Sequence, residues 1–105
     1  MYYATSIPVK PATPSLTSDV TGFPTEGDVI TLTCSTTSSG DISKYKFDHE
    51  TSTVNSSSLD TYTIFTAVIG VNDGDYQCRV GAASAALSSQ VVWSQPSSTL
   101  NLQCK

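Results

Sequence analysis

The sequence has few charges and no long apolar run, and each shortage excludes a class of partner. Charged residues make up 13% of the 105 residues, and the net charge is −4. The pI of about 4.5 argues against nucleic acid as a partner, because nucleic-acid binding needs clustered cations. No run reaches the roughly 20 apolar residues that span a bilayer, so we expect no membrane insertion of this segment.

The sequence offers little support for nucleophilic or metal chemistry: serines are plentiful, but a base, an orienting acid and an oxyanion hole do not emerge around one histidine. His49 is its single histidine, and it lies between Asp48 and Glu50. Neighbours on a strand point to opposite sides, so we place His49 in a solvated turn rather than in a metal site. The turn at 72–75 offers oxygen ligands for calcium, but its glycine is already explained by the turn itself. We therefore expect no enzyme activity, no cofactor and no metal.

The residues that are plentiful favour β-structure. Five Tyr, three Phe, one Trp and many Val, Ile and Thr suit a pleated, half-buried surface. In the segment DVITLTCST, residues Ile30, Leu32 and Cys34 fall on one face, a period of two that marks a strand. Strands are likewise predicted over 44–48, 60–70, 75–80 and 87–93. Turn signals recur about every ten residues, as in a β-sandwich.

Two motifs resemble those of immunoglobulin domains. The segment GDYQC at 74–78 resembles the Asp-x-Gly-x-Tyr-x-Cys signature, in which the tyrosine forms the tyrosine corner. The segment GDVITLTC at 27–34 is similar to strand B of the family. The resemblance implies an all-β, two-sheet Greek-key sandwich with Tyr76 at the corner. It also implies a disulfide between Cys34 and Cys78, and hence an oxidising, extracellular compartment.

The sequence departs from the family pattern in three places. Phe47 stands about where the family has a buried tryptophan on strand C, so we expect Phe47 to pack on the disulfide. Asn72 stands where the family usually has Asp. The 44 positions between Cys34 and Cys78 are too few for the two additional strands of an antibody variable domain. The pattern is thus nearer the constant or intermediate types, as in tandem extracellular arrays.

The chain is predicted to have three segments. These are an extended, proline-rich N-terminal lead-in at 1–13, the immunoglobulin-like domain at 14–94, and a C-terminal linker or tail at 95–105. With Cys34 and Cys78 paired, Cys104 has no partner. It is either part of a following repeat or a tail thiol that forms an interchain bond, which would give a disulfide-linked dimer.

Two surface features are candidates for function. Asn55 begins an NSS sequon in a stretch predicted as an exposed loop, and both glycosylation and an unused tripeptide stay open. Alternation places Lys44 and Lys46 outward on one strand, and Gln77 and Arg79 outward on another. In the immunoglobulin fold these strands pair, so an acidic domain would carry positive charge on one outer face. We hypothesise that this face meets an acidic protein surface, with a second copy of the chain as one candidate; an ordinary solvated face is the alternative.

The resemblance implies a secreted or cell-surface recognition or adhesion module that binds a protein, homophilic binding included, through a sheet face or loops. The alternative is a structural spacer in a tandem-repeat cell-surface or matrix protein. The sequence shows no large exposed apolar patch, which favours the spacer, because interaction sites often have one. A homophilic module self-associates, whereas a spacer stays monomeric.

Overall fold

The computed structural model describes residues 11–20, 22–37, 42–83 and 91–104. Within them the chain forms antiparallel strands arranged in two sheets. The first sheet has three strands in the order β1-β2-β5. In the second, β4, β3 and β6 are neighbours, and both β7 and β8 pair with β6. The strands are β1 (Ser15–Ser18), β2 (Ile30–Ser35), β3 (Ile42–His49), β4 (Ser52–Ser57), β5 (Thr61–Ile64), β6 (Gly74–Ala83), β7 (Val91–Trp93) and β8 (Leu100–Leu102).

The core lies between the two sheets and follows the alternation of the sequence. Ile30, Leu32 and Cys34 of β2 are buried, while the two threonines between them are half-buried. On β6, Tyr76, Cys78 and Val80 are buried in the same way; the list of core residues is completed by Phe47, Ile64, Ala67 and Leu102. The all-β sandwich and the facing of these two strands are therefore as predicted.

A disulfide between Cys34 and Cys78 joins the two sheets through the core. Its Cα atoms are 6.1 Å apart, and it links β2 of one sheet to β6 of the other. Phe47 lies directly opposite Cys78 in the β3–β6 register and is fully buried. Its ring centre is 5.8 Å from that of Tyr62 on the opposing sheet. Phe47 thus occupies the core position predicted for it, and the predicted disulfide is present.

The polar stretch at 49–58 is more regular than predicted. It contains β4, which pairs with β3 and shifts register between Phe47 and Asp48. The exposed loop predicted around Asn55 is therefore wrong, because Asn55 pairs with Phe47 inside this strand and is half-buried. The low apolar content of the stretch gave no strand pattern, and the position of β4 is set by its pairing with β3.

The apolar run at 60–70 forms a strand only as far as Ile64. Ile64 is buried and Phe65 is 76% exposed, which assigns the inward face to Tyr62 and Ile64. Beyond β5, backbone bonds from Ala67 N–H to the Asp28 carbonyl and from Gly27 N–H to the Ala67 carbonyl keep the two segments side by side. The predicted strand over 60–70 thus has only four residues in the structure.

The predicted linker or tail at 95–105 is wrong for most of its length, because the sandwich continues through Leu102. Strand β8 pairs with β6 by the register Tyr76↔Leu100 and Gly74↔Leu102, and Leu102 is buried. Strands β7 and β8 both pair with β6, so they act as one final strand interrupted at 94–99. Pro96 lies in this interruption and has no N–H to give to a ladder.

Two serine hydroxyls keep this interrupted strand attached to β6. The Ser94 hydroxyl accepts the Val80 N–H at 3.1 Å, and the Ser97 hydroxyl accepts the Cys78 N–H at 3.0 Å. Each hydroxyl donates in turn to the carbonyl of the following residue. Both serines are buried, so the hydroxyls take the place of backbone carbonyls that the proline-containing segment does not offer.

Several predicted features lie outside the described residues in whole or in part. Positions 1–10 of the lead-in are outside, while Pro11 and Pro14 are buried. Positions 38–41 also lie outside, and so do 84–90, which include the start of the strand predicted over 87–93. Throughout the described ranges, no helix has the length and apolar character that a membrane crossing requires.

Candidate recognition surface

The basic side chains lie together on the outer face of the five-stranded sheet. Lys46 of β3 and Arg79 of β6 are cross-strand partners, and Lys44 lies opposite Gly81. Lys44 is exposed, whereas Lys46 and Arg79 are half-buried. Gln77, opposite Asp48, lies on the same side. The structure therefore brings the four predicted residues onto one surface, called here the basic face, which also includes Trp93.

Trp93 is the part of the basic face that sequence reasoning missed. The Lys46 ammonium lies 4.4 Å from the centre of the Trp93 ring, a cation–π contact. Trp93 pairs with Gly81, and a Cβ at Gly81 would lie 3.0 Å from the ring and also meet the Val91 side chain. The bare glycine therefore lets the tryptophan lie flat across β6 and reach Lys46 on β3. The missed signal was the period of two along VVW, which puts Trp93 outward.

The positive charge of the basic face is partly compensated. Arg79 Nη2 lies 3.9 Å from Asp48 Oδ2, and the Asp48 side chain is only 11% exposed. The Thr53 hydroxyl of β4 donates to Asp48 at 2.9 Å. The Gln77 amide donates to the Ser97 carbonyl at 3.0 Å, which fixes Gln77 to the final strand. Lys44 and Lys46 thus carry the charge that is available to a partner.

Tyr76 forms the hydrogen bond of a tyrosine corner at one end of the sandwich. Its hydroxyl donates to the Asn72 carbonyl at 2.7 Å, and the ring is buried. Burial, with Tyr62 nearby, raises the pKa of Tyr76 to about 12. Asn72 itself accepts the Val68 N–H through its side chain at 2.7 Å, so it shapes the preceding loop. The Asn at this position keeps the corner intact.

Comparison with known proteins rests on structure, because no family model and no curated protein matches the sequence. The second Ig-C2 domain of human Fc-receptor like A superimposes with a TM-score of 0.67 at 22% identity. The match covers 89% of this chain and 96% of that one. Both share the two-sheet sandwich that the strand order and disulfide describe. The chain has an immunoglobulin fold.

His49 is not in a solvated turn, and that prediction was wrong. It is the last residue of β3 and half-buried. Its ring stacks on Tyr76 at 4.3 Å between centres, and Nε2 lies 2.6 Å from the Asp73 carbonyl. Gly74 permits this packing, because at φ 126° a Cβ there would meet the His49 ring and the Glu50 carboxylate. His49 therefore supports the tyrosine corner.

The oxygens of the 72–75 turn are engaged within the protein. Asp73 accepts the Gly70 N–H at 2.9 Å through Oδ1 and the Cys104 N–H at 3.2 Å through Oδ2. The bond from Gly70 is the main reason that the pKa of Asp73 lies below its ordinary value. Across the described ranges, no three His, Cys, Asp or Glu side chains are placed to hold a metal ion.

Cys104 is an unpaired, half-buried thiol at the same end of the sandwich as the 72–75 turn. It packs against the core, and the disulfide in the described part of the chain is the one within the core. Burial raises the pKa of the Cys104 thiol, and the negative charges of Asp73, Glu26 and Asp28 raise it further. The thiolate is the reactive form, so this environment disfavours the interchain bond, which stays a prediction.

The other candidate features add little chemistry. Asn55 points to the same side as Phe47 and is half-buried, and its glycosylation stays a prediction. A groove of about 340 Å³ separates β1 from β8, and its lining contains no ionisable side chain. It is lined by Leu16, Thr17, Ser18, Val20, Gly22, Pro24, Leu100, Asn101 and Leu102.

Adjoining segments carry exposed apolar side chains at the end where β8 finishes, contrary to the expectation from the sequence. These side chains, together called the apolar tip, have exposed fractions from 37% for Val68 to 76% for Phe65. They are Val29, Phe65, Val68, Ile69 and Val71. The expectation that the domain has no exposed apolar patch is therefore wrong, and it no longer favours a spacer.

Proposed function

We propose that this immunoglobulin domain is an extracellular, non-catalytic protein-recognition module that binds its partner through the basic face. One observation carries the proposal: the Lys46 ammonium lies over the half-buried Trp93 ring at 4.4 Å, beside Arg79. Aromatic residues and arginine are enriched at the centres of protein interfaces, and tryptophan and arginine are common among the residues that dominate binding energy.

The charge distribution supports an acidic partner. Lys44, Lys46 and Arg79 lie together, with Asp48 paired to Arg79, although the chain as a whole has a net charge of −4. The exposed Asp75 continues the same side of β6 two residues before Gln77, at the end away from the two lysines. Such a contrast orients a negatively charged surface during approach and accelerates its association. Lys44, exposed and outside the Asp48 ion pair, supplies part of this attraction.

The disulfide supports an extracellular location. Cys34 and Cys78 are paired in the core, and such bonds persist in oxidising compartments. The likeness to an Ig-C2 domain concerns the fold, and this fold serves many functions. The proposal covers a secreted protein and a cell-surface ectodomain equally.

The proposal is tested by screening the domain, tetramerised through a tag, against cells that each display one extracellular protein. The matched variants are Lys46→Ser on the basic face and Ser35→Glu on the outer side of the other sheet. Each lowers the net charge by the same amount, and Ser35 is exposed. We expect a true partner to lose at least about tenfold in affinity with Lys46→Ser and to be unaffected by Ser35→Glu.

The opposite result would overturn the binding face. If partners bind equally well to both folded variants, the basic face is an ordinary solvated surface. Thermal unfolding of each variant shows that it is folded.

A structural spacer is the second candidate, and the apolar tip favours it. The tip lies at the end of the sandwich where β8 finishes, and there a neighbouring domain of a tandem array would cover Val68 and Val71. A spacer predicts that no partner in the screen depends on Lys46 and that the domain remains monomeric at every concentration.

A further inference from the structure

The apolar tip has no role in the binding proposed above, yet its side chains are held in place. Val29 precedes Ile30 and Phe65 follows Ile64, so the two lie next to the buried pair Ile30↔Ile64, on the outer side of the three-stranded sheet. Their exposed fractions are 55% and 76%. The backbone bonds between Gly27, Asp28 and Ala67 keep the two segments adjacent. Clustered apolar side chains on a fixed backbone are typical of an interaction site.

The loop between β5 and β6 adds the rest of the tip. Val71 N–H and Asn72 N–H both donate to the Val68 carbonyl, and the Asn72 side chain accepts the Val68 N–H. These bonds close one turn that presents Val68, Ile69 and Val71 to solvent.

Carboxylates lie on the segments that carry the tip. Asp28 directly precedes Val29, and Asp73 follows Val71 by two positions. Asp28 is held beside Ala67 by a backbone bond, and Asp73 accepts the Cys104 N–H at 3.2 Å, so both lie at this end of the sandwich. The surface is therefore an apolar centre with a negative margin, and it fits a partner whose surface has an apolar or aromatic centre with cations around it.

The same chain carries a surface of that description. The basic face has the half-buried Trp93 ring on the edge strand β7, with Lys46 of β3 over the ring and the exposed Lys44 close by. We propose that the apolar tip of one molecule docks on the basic face of a second copy of this chain. This inference rests on the proposed binding face and names its partner.

The contact is between two different surfaces. The tip lies at the end of the sandwich and the basic face on the side of the five-stranded sheet, which leaves one free tip and one free face in every dimer. Such a contact adds further molecules as the concentration rises, into open chains or into rings where the rotation closes. Because the charges beside the tip are negative and those on the basic face are positive, salt screens their attraction and weakens the association.

The test is sedimentation velocity of the whole chain and two defective variants. Phe65→Ser damages the tip, with Leu59→Ser as its control, since Leu59 is 65% exposed outside the tip. Lys44→Ser combined with Lys46→Ser damages the face. Its control is Thr17→Glu combined with Ser35→Glu, which makes the same change in net charge on exposed positions of the other sheet.

We expect the unaltered chain to self-associate between about 0.01 and 1 mM protein. Raising the salt from about 0.05 M to about 0.5 M should weaken the association at least tenfold. The tip and face variants should each remain monomeric, while both controls associate normally. An equimolar mixture of the tip and face variants should form dimers and nothing larger, because one variant supplies the intact face and the other the intact tip.

Three results would overturn the inference: a monomeric unaltered chain, a mixture that stays monomeric, or association that survives loss of the tip. In the last case, if the face variant is monomeric, the binding face stands and only its partner surface is wrong. Conversely, the mixture of variants could form dimers while the screen of displayed extracellular proteins finds no partner. That result would support self-association through the two surfaces and reject recognition of other proteins.

Discussion

The two sheets present similar inner faces and very different outer faces. Inside, each sheet buries apolar side chains and one half of the disulfide. Outside, the three-stranded sheet carries threonine pairs, whereas the five-stranded sheet carries lysine, arginine, glutamine and tryptophan; the paired residues are Thr31↔Thr63, Thr33↔Thr61, Lys46↔Arg79 and Gly81↔Trp93. The inner apolar pattern therefore specifies the sandwich, whereas the outer residues can vary between the sheets without changing the fold and can serve in binding.

The largest effect is expected when the two sheets are uncoupled. Replacing Cys34 and Cys78 together by Ala should lower the free energy of unfolding by about 4 kcal/mol, because the 44-residue separation no longer constrains the unfolded chain. Cys104→Ser is the control and should have a much smaller effect. Urea unfolding measures both. A loss below about 1 kcal/mol for the double variant would show that packing alone joins the sheets.

A smaller effect is expected at the irregular edge of the five-stranded sheet, where β7 and β8 are separated by 94–99. Ser97→Ala removes the acceptor for the buried Cys78 N–H and should cost about 1–3 kcal/mol of unfolding free energy. The matched control is Ser98→Ala, since Ser98 is exposed in the same segment. Hydrogen exchange at the Cys78 amide should accelerate in the first variant alone. Equal stability of the two variants would mean that water replaces the hydroxyl.

The tyrosine corner gives the five-stranded sheet a dependence on alkaline pH. The pKa of Tyr76 is about 12 in the folded protein, against an ordinary value of 10.0. Between these values the unfolded chain releases the proton and the folded chain keeps it, so stability falls as pH rises through this window.

Tyr76→Phe removes the titrating group and the bond to Asn72 together. It should be less stable at neutral pH and should lose less stability between pH 10 and 12. Urea midpoints measured at several pH values test this. Parallel slopes for the two proteins would argue that other groups cause the alkaline loss.

The smallest effect, and a stabilising one, is expected in the turn that joins β3 and β4. Glu50 and Thr51 both have positive φ, 52° and 70°, and a β-branched residue is disfavoured there. Thr51→Gly should raise the free energy of unfolding by about 1 kcal/mol. Ser52→Gly, at the first residue of β4, should lower it, since glycine is unfavourable in a strand. A loss of stability with Thr51→Gly would show that its side chain is needed in this turn.

Strict alternation made much of the fold predictable. The period of two around Cys34 and Cys78 placed both cysteines inward, and the resemblance to immunoglobulin domains implied their pairing. The same alternation placed Lys46 and Arg79 outward, where the structure makes them direct neighbours. These positions were predictable because a pleated strand fixes which way each side chain points.

The elements that the sequence did not predict depend on pairing rather than on pattern. Strand β4 is mostly polar, and it forms because β3 offers it an edge. Strand β8 follows a proline, and two serine hydroxyls keep the final strand in register across that gap. Phe65 lies within the strand predicted over 60–70, yet β5 ends one residue before it.

The order of residues alone determined the all-β class, the inward cysteines and the outward basic residues, because the two-residue period of a strand is a local property. Only the tertiary structure decided that Trp93 lies under Lys46, that Asp48 takes up Arg79, and that apolar side chains gather at one end. Those contacts join residues far apart in the chain, and their positions depend on which strands become neighbours.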